Sequence, residues 1–145
     1  VGALTISLCC VSSGEVSSHA TYALEVITGP EAVTGSTRMK AGTAQKMVLN
    51  MFSSTLMIKA GKVYENLMVD VRPTNEKLVK RACRIISTCC DISNDQAHEY
   101  LLQAKGEVKV AIIMCLAQCS SEEAQSILEK NHGHVAKAMR AYTKC

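Results

Sequence analysis

Residues 29–46 read GPEAVTGSTRMKAGTAQK, and the rest of the chain is organised around them. Gly29, Pro30 and Gly35 forbid regular structure, and the hydroxyls of Thr34, Ser36 and Thr37 follow where a helix N-cap belongs. The pattern predicts a helix from about Thr37 to Ala60, roughly 36 Å long at the usual rise per residue. Its first turn leaves backbone N–H groups unpaired at the positive end of the helix dipole. Ser36, Thr37 and those amides can therefore hold phosphate oxygens, with Arg38 and Lys40 neutralising the charge. Two cations at a helix N-terminus oppose the dipole, and an anion relieves that conflict. The alternative is that Ser36 or Thr37 simply caps the helix while Arg38 and Lys40 are solvated. Gly42 leaves room for a ligand or a neighbouring backbone.

Glu31 is the one carboxylate before the helix, and two roles stand open for it. It is a candidate general acid or base, since proton transfer needs a carboxyl group within hydrogen-bond reach of a reacting sugar. The plainer role, and the one favoured for a loop carboxylate, is to accept hydrogen bonds from loop amides or a neighbouring arginine.

Upstream, Gly2 to Cys9 (GALTISLC) is a short apolar, β-branched run of the buried parallel-strand type, and Tyr22 to Ile27 is a second. A brief helical turn around Glu15 to Ala20 connects them. The runs read as the last strands of a parallel sheet, with the Gly29–Lys46 loop leaving the carboxyl end of the second. Open α/β sheets bind ligands there. Downstream, only Asn50, Ser53, Ser54 and Thr55 interrupt an apolar surface from Met47 to Ile58, which predicts a helix buried on nearly all sides, between the sheet and a second subunit. Gly61 ends it.

Asn66 to Thr74 (NLMVDVRPT) is expected to be extended, since Arg72 precedes Pro73 and avoids the α region. Asp70, Asn66 and Asn75 either reach into a site or fix this loop through local hydrogen bonds. A helix from about Asn75 to Cys89 follows, with Leu78, Ala82, Ile85 and Cys89 on one face and Lys77, Lys80, Arg81 and Arg84 on the other, a stripe that ordinarily marks the solvated side. From about Ile92 the sequence repeats with a period of 27 residues: Ser93, Asp95, Ala97, Leu101, Gly106 and Val108 correspond to Ser120, Glu122, Ala124, Leu128, Gly133 and Val135. Each copy opens with a capping box, Ser93 with Gln96 and Ser120 with Glu123, and turns at its glycine, which predicts two helical hairpins packed on each other.

Composition narrows the function classes. Sixteen basic against thirteen acidic residues give +3, too little to argue for nucleic acid, and no aromatic residues interleave with the cations to stack bases. The chain is 48% hydrophobic with four Tyr, one Phe and no Trp, so its core is aliphatic and methionine-rich. The eight cysteines, which include the adjacent pairs Cys9-Cys10 and Cys89-Cys90, lack metal-ligand spacing and read as free thiols of a reducing cytoplasm. His98, His132 and His134 read as surface residues, and no metal or cofactor is expected. There is no uninterrupted apolar span for a bilayer. The start at Val1, on a core strand, predicts a fragment.

The string PEAVTGSTRMKAGTAQK resembles the signature shared by bacterial N-acetylmuramic acid 6-phosphate etherases and the animal glucokinase regulatory protein, two branches of the sugar isomerase (SIS) superfamily. Gly61 to Leu78 (GKVYENLMVDVRPTNEKL) is similar to the etherase branch in particular, and the resemblance covers the whole chain but only the C-terminal half of such an enzyme. It implies an α/β fragment, the end of an SIS-type parallel sheet, followed by an all-α C-terminal domain resembling a ubiquitin-associated (UBA-like) module. The whole is expected to be predominantly helical. Residues 1–60 are then part of the SIS domain with its long helix, 61–91 a connecting segment and helix, and 92–145 the helical repeat.

The implied partner is a phosphorylated amino sugar bound by Ser36, Thr37, Arg38 and Lys40 in a cytoplasmic homodimer of peptidoglycan recycling. The implied reaction is elimination of D-lactate followed by addition of water, giving N-acetylglucosamine 6-phosphate. Its acid and base are two glutamates upstream in the family and match nothing here, so this stretch alone is expected to be inactive. A non-catalytic phosphosugar sensor of the glucokinase-regulator type is the alternative.

Overall fold

A computed structural model describes residues 2–143; the expectations placed on Val1 and Cys145 lie outside them. The chain is mostly helical with one small parallel sheet, and it divides into two compact units, residues 1–55 and 56–145.

In the first unit, strand β1 (Ile6–Cys9) pairs in parallel with β2 (Tyr22–Glu25), Ile6 opposite Tyr22 and Cys9 opposite Glu25. Parallel neighbours need a crossover, and here it contains a 3-10 turn at Glu15–His19. Glu25 pins that crossover: its carboxylate accepts from Ser17 Oγ at 2.6 Å and from the Ser13 amide at 3.0 Å, bonds that hold its pKa below the ordinary carboxylate value. Helix α1 (Ala41–Lys59) follows the loop. It carries no buried residue, and Met47, Met51 and Ile58 are each more than half exposed. The expected burial on nearly all sides is therefore not reached within this chain, because a two-stranded sheet has too little surface to cover so apolar a helix.

The second unit holds the hydrophobic core. A short antiparallel hairpin, β3 (Val63–Tyr64) with β4 (Leu67–Met68), leads through residues 69–74, which join no strand and turn at Pro73 where the Thr74 amide donates to the Arg72 carbonyl, into α2 (Glu76–Cys90). Asn75 caps α2, its Oδ1 accepting from the Leu78 amide at 2.9 Å. The repeat then gives α3 (Asn94–Gln103), α4 (Val108–Ala117), α5 (Ser121–Lys130) and α6 (Val135–Tyr142). Both capping boxes form as expected. Gly106 and Gly133, at φ +85° and +76°, make the two turns that only glycine makes cheaply. The symmetry also extends further upstream than the sequence showed. Asp91 closes α2 and Gln118 closes α4 in the left-handed region, at φ 54° and 50°, again 27 positions apart.

Helix α4 is the centre of this arrangement. Val108, Val110, Ala111, Ile112, Ile113, Met114, Cys115 and Ala117 are all buried, with α2, α3, α5 and α6 packed round them. The seven described cysteines are free thiols. Burial, with the charge of Glu65 adding to it, pushes Cys89 up to about 11, and burial raises Cys90 as well, so both are thiols at neutral pH.

Truncating Ile113 to Ala is expected to cost about 2–5 kcal/mol of unfolding free energy. Ser93→Ala and Ser120→Ala should each cost about 1 kcal/mol, by equal amounts if the caps are equivalent. Urea denaturation of the three variants checks both statements.

Candidate functional site

The loop after β2 is held at its base by residues from its two ends. Glu31 accepts from the Lys40 amide at 3.1 and 3.2 Å and from the Ala41 amide at 3.1 Å. Lys40 Nζ donates to the Pro30 carbonyl at 2.7 Å. Gly29 and Gly35 take positive φ, +69° and +86°, so the glycines bend the chain as the sequence requires. Gly42 also behaves as expected: a Cβ there would meet the Thr37 carbonyl at 3.1 Å.

The start of α1 differs from expectation. The helix begins at Ala41 instead of Thr37, and its cap is the Glu31 carboxylate instead of the Ser36 or Thr37 hydroxyl. A carboxylate brings a full negative charge to the positive end of the dipole and accepts from two amides at once, where a hydroxyl accepts from one. Of the two roles open to Glu31, the hydrogen-bonding one is what the geometry displays. The anion that two cations at a helix N-terminus call for is supplied, at least at the backbone, by the chain itself.

A cleft of about 420 Å³ lies at the carboxyl ends of the two strands, between Leu8, Cys10 and Thr28 on one side and Thr37, Gly42 and Gln45 on the other. Glu31 also lines it. Gln45 Nε2 donates to the Leu8 carbonyl at 3.4 Å and Cys10 Sγ to the Ala41 carbonyl at 3.5 Å, tying α1 to the strand end. Of the predicted phosphate-binding residues, Thr37 faces the cleft. Ser36 is half-buried in the loop, and Arg38 and Lys40 are exposed on it. Cys10 and Gln45 were not singled out from the sequence; only the crossover and the first helical turns bring them to this wall.

In the second unit the basic face of α2 is not simply solvated. Lys77, Lys80, Arg81 and Arg84 line one wall of a groove of about 900 Å³ whose other wall is the hairpin at Asn66 to Met68. That wall was not legible in advance, because the tight turn rests on Glu65 in the left-handed region, φ 53°, where glycine or asparagine is the usual marker. Lys80 is paired with Glu76 at 2.6 Å. Asp70 fixes the 69–74 segment through ion pairs, to Lys62 at 3.0 Å and to Lys109 at 3.3 Å, and Lys109 reaches on to the Gly133 carbonyl. His134 packs against Gly61, where any Cβ would lie 2.9 Å from the imidazole. Among the described residues no three His, Cys, Asp or Glu side chains come together as a metal site. No helix among them is long and apolar enough to cross a membrane.

Residues 65–110 match the family model of the C-terminal lid domain of glucokinase regulatory protein. The N-acetylmuramic acid 6-phosphate etherase of Lactobacillus gasseri is 50% identical over 139 residues, which is 96% of this chain and 47% of that protein. Etherases of an Exiguobacterium species and a Geobacillus species are each 54% identical, over 96% and 97% of this chain. The chain spans about half the length of the curated relatives it matches. The chain is thus similar both to these etherases and, over residues 65–110, to the regulator's lid domain. The longer likeness is to the C-terminal half of the N-acetylmuramic acid 6-phosphate etherases, of which the chain is a homologue.

Asp70 yields a pH test. Burial alone would raise its pKa, but the hydrogen bond from Lys62 and the charge of Lys109 outweigh that and hold it below its ordinary 3.8. A depressed folded-state value stabilises the fold fully above the unfolded value, and that contribution disappears as pH falls through the folded one. Asp70→Asn should therefore lower stability at pH 6 by about 1 kcal/mol or less, the carboxylate being 40% exposed, with the difference vanishing in strong acid. Thermal unfolding of both proteins from pH 6 to pH 2 measures it.

Proposed function

We propose that this chain forms the C-terminal half of an enzyme that cleaves the D-lactyl ether of N-acetylmuramic acid 6-phosphate, giving N-acetylglucosamine 6-phosphate and D-lactate. The observation that carries the proposal is the position of the Ser36–Lys40 loop at the carboxyl ends of parallel strands, in a chain half identical to etherases along nearly its whole length. Ser36 and Thr37 offer hydroxyl donors to the phosphate, and Arg38 and Lys40 offset its charge. The amides of Lys40 and Ala41 at the start of α1 are engaged by Glu31, so the hydroxyls and the Arg38 fork carry more of the phosphate than a bare helix N-terminus would.

The acid and base of the reaction belong to the half of the enzyme that precedes this one, and the chain alone binds without turnover. The same reading takes residues 1–60 as the end of an SIS domain, 61–91 as a connecting segment and 92–145 as a UBA-like repeat. It takes the assembly as a cytoplasmic homodimer that needs no metal or cofactor, in which the exposed apolar surface of α1 is an interface.

A second reading has one observation in its favour, the match of residues 65–110 to the glucokinase regulator's lid domain. On that reading the chain belongs to a non-catalytic sensor of a sugar phosphate. The four cations along the α2 groove suit an anionic ligand on either account.

Calorimetric titration of the chain with N-acetylmuramic acid 6-phosphate distinguishes them. Saturable binding, weakened about tenfold or more by Arg38→Ala through loss of a charge-assisted bond, is expected. A hexose phosphate without the lactyl ether should bind more weakly. Equal affinity for the two sugars would favour the sensor, and binding that Arg38→Ala leaves unchanged, in this chain or in a full-length homologue altered in parallel, would discard the loop as the site.

A further inference from the structure

Taking the loop as the phosphosugar site, we propose that Glu31 and Lys40 are positioning residues that latch the loop at its base, and that Lys40 serves the ligand through the loop instead of touching it. The geometry is reciprocal. Residues 30 and 31 at one end of the loop bind residues 40 and 41 at the other: the Glu31 carboxylate takes the amides of Lys40 and Ala41, and the Lys40 ammonium takes the carbonyl of Pro30. Ser36 and Arg38 lie between these clasps. Within that interval the backbone is tied by the Ser36 amide to the Val33 carbonyl at 3.0 Å, and just beyond it by the Gly42 amide to the Thr37 carbonyl at 2.8 Å. Gly29 and Gly35, in the left-handed region, bend the segment. The latch is what fixes the loop's ends, and so what sets where the Ser36 and Thr37 hydroxyls and the Arg38 guanidinium stand.

The charges make the proposal testable by sign. A carboxylate beside an anion site repels the ligand, so if Glu31 were only a bystander its removal would tighten phosphosugar binding. If Glu31 holds the loop, its removal weakens binding in spite of that electrostatic gain. Lys40 offers a matching distinction. As a direct ligand its loss would add to that of Glu31; as the other half of one latch it would not.

The experiment is a double-mutant cycle on the whole chain, with Glu31→Ala, Lys40→Ala, the double variant and Glu31→Gln. Each is titrated with N-acetylmuramic acid 6-phosphate and followed in parallel by amide hydrogen exchange. Expected is a loss of affinity of about tenfold in each single alanine variant, with the double variant no worse than the weaker single. Glu31→Gln, which keeps an acceptor oxygen without the charge, should recover part of the loss. The Ala41 amide should exchange faster in Glu31→Ala and stay protected in Glu31→Gln. Tighter binding in Glu31→Ala, multiplied losses in the double variant, or unchanged exchange at Ala41 would each overturn the latch. If the unaltered chain binds no phosphosugar while Ala41 still loses protection in Glu31→Ala, the phosphosugar site fails and the latch stands as a structural clasp.

Discussion

The constraint on which the larger unit depends is that α4 has no face for water. Of its ten residues only Lys109 is charged, and the buried set runs from Val108 to Ala117 around the whole circumference. Such a helix is stable only when enclosed, and one hairpin cannot enclose it. The 27-residue repeat solves this by supplying helices from both directions in the chain, α2 and α3 before it and α5 and α6 after it. Helix α6 stands one repeat on from α4, and there the pattern changes. Val135 and Ala138 are buried, but Lys137, Arg140 and Ala141 face outward, so α6 keeps a wettable side that α4 lacks.

Helix α1 faces the same demand without the same answer. Its sequence is less apolar than that of α4 but still carries a long apolar run, yet the strands beside it cover little of it, and Leu49, Met51, Phe52 and Leu56 remain exposed. No apolar residue of the described first unit is buried; its buried side chain is Ser7, on β1. A unit of this kind cannot draw its stability from a core of its own. The burial that the sequence of α1 calls for has to come from other polypeptide surface, which fits a chain spanning about half the length of its relatives.

What could be read in advance follows from how local each signal is. Both capping boxes, the Gly106 and Gly133 turns and the parallel strand pair were legible because each rests on residues a few positions apart or on a simple apolar run. The hairpin at Val63 to Met68 was not, since its turn is made by Glu65 and Asn66 without a glycine. Nor was the early onset of the repeat, because Asp91 and Gln118 share a backbone conformation without sharing chemistry. At the loop the glycines, the hydroxyls and the cations were visible, and Glu31 was noticed. Which group caps α1 was not decidable, because the answer depends on a contact across the loop between positions 31 and 41, and hydroxyls nearer in sequence offered an equally good local solution.

The cap alters the electrostatic argument for the site without removing it. A helix start flanked by Arg38 and Lys40 is uncomfortable only while its dipole is unanswered, and Glu31 answers it from within the chain. The balance in the loop is then one carboxylate against two cations. Lys40 is already spoken for, with its ammonium on a backbone carbonyl and its amide on Glu31. That leaves Arg38 exposed directly after two hydroxyl residues, Ser36 and Thr37, with no internal anion assigned to it among the described contacts. A guanidinium presents donors in a flat fork suited to two phosphate oxygens at once, and it remains charged at any physiological pH. The residue most available to an anionic sugar is therefore the one the chain does not use for its own architecture, while its neighbours two positions and seven positions away hold the backbone that presents it.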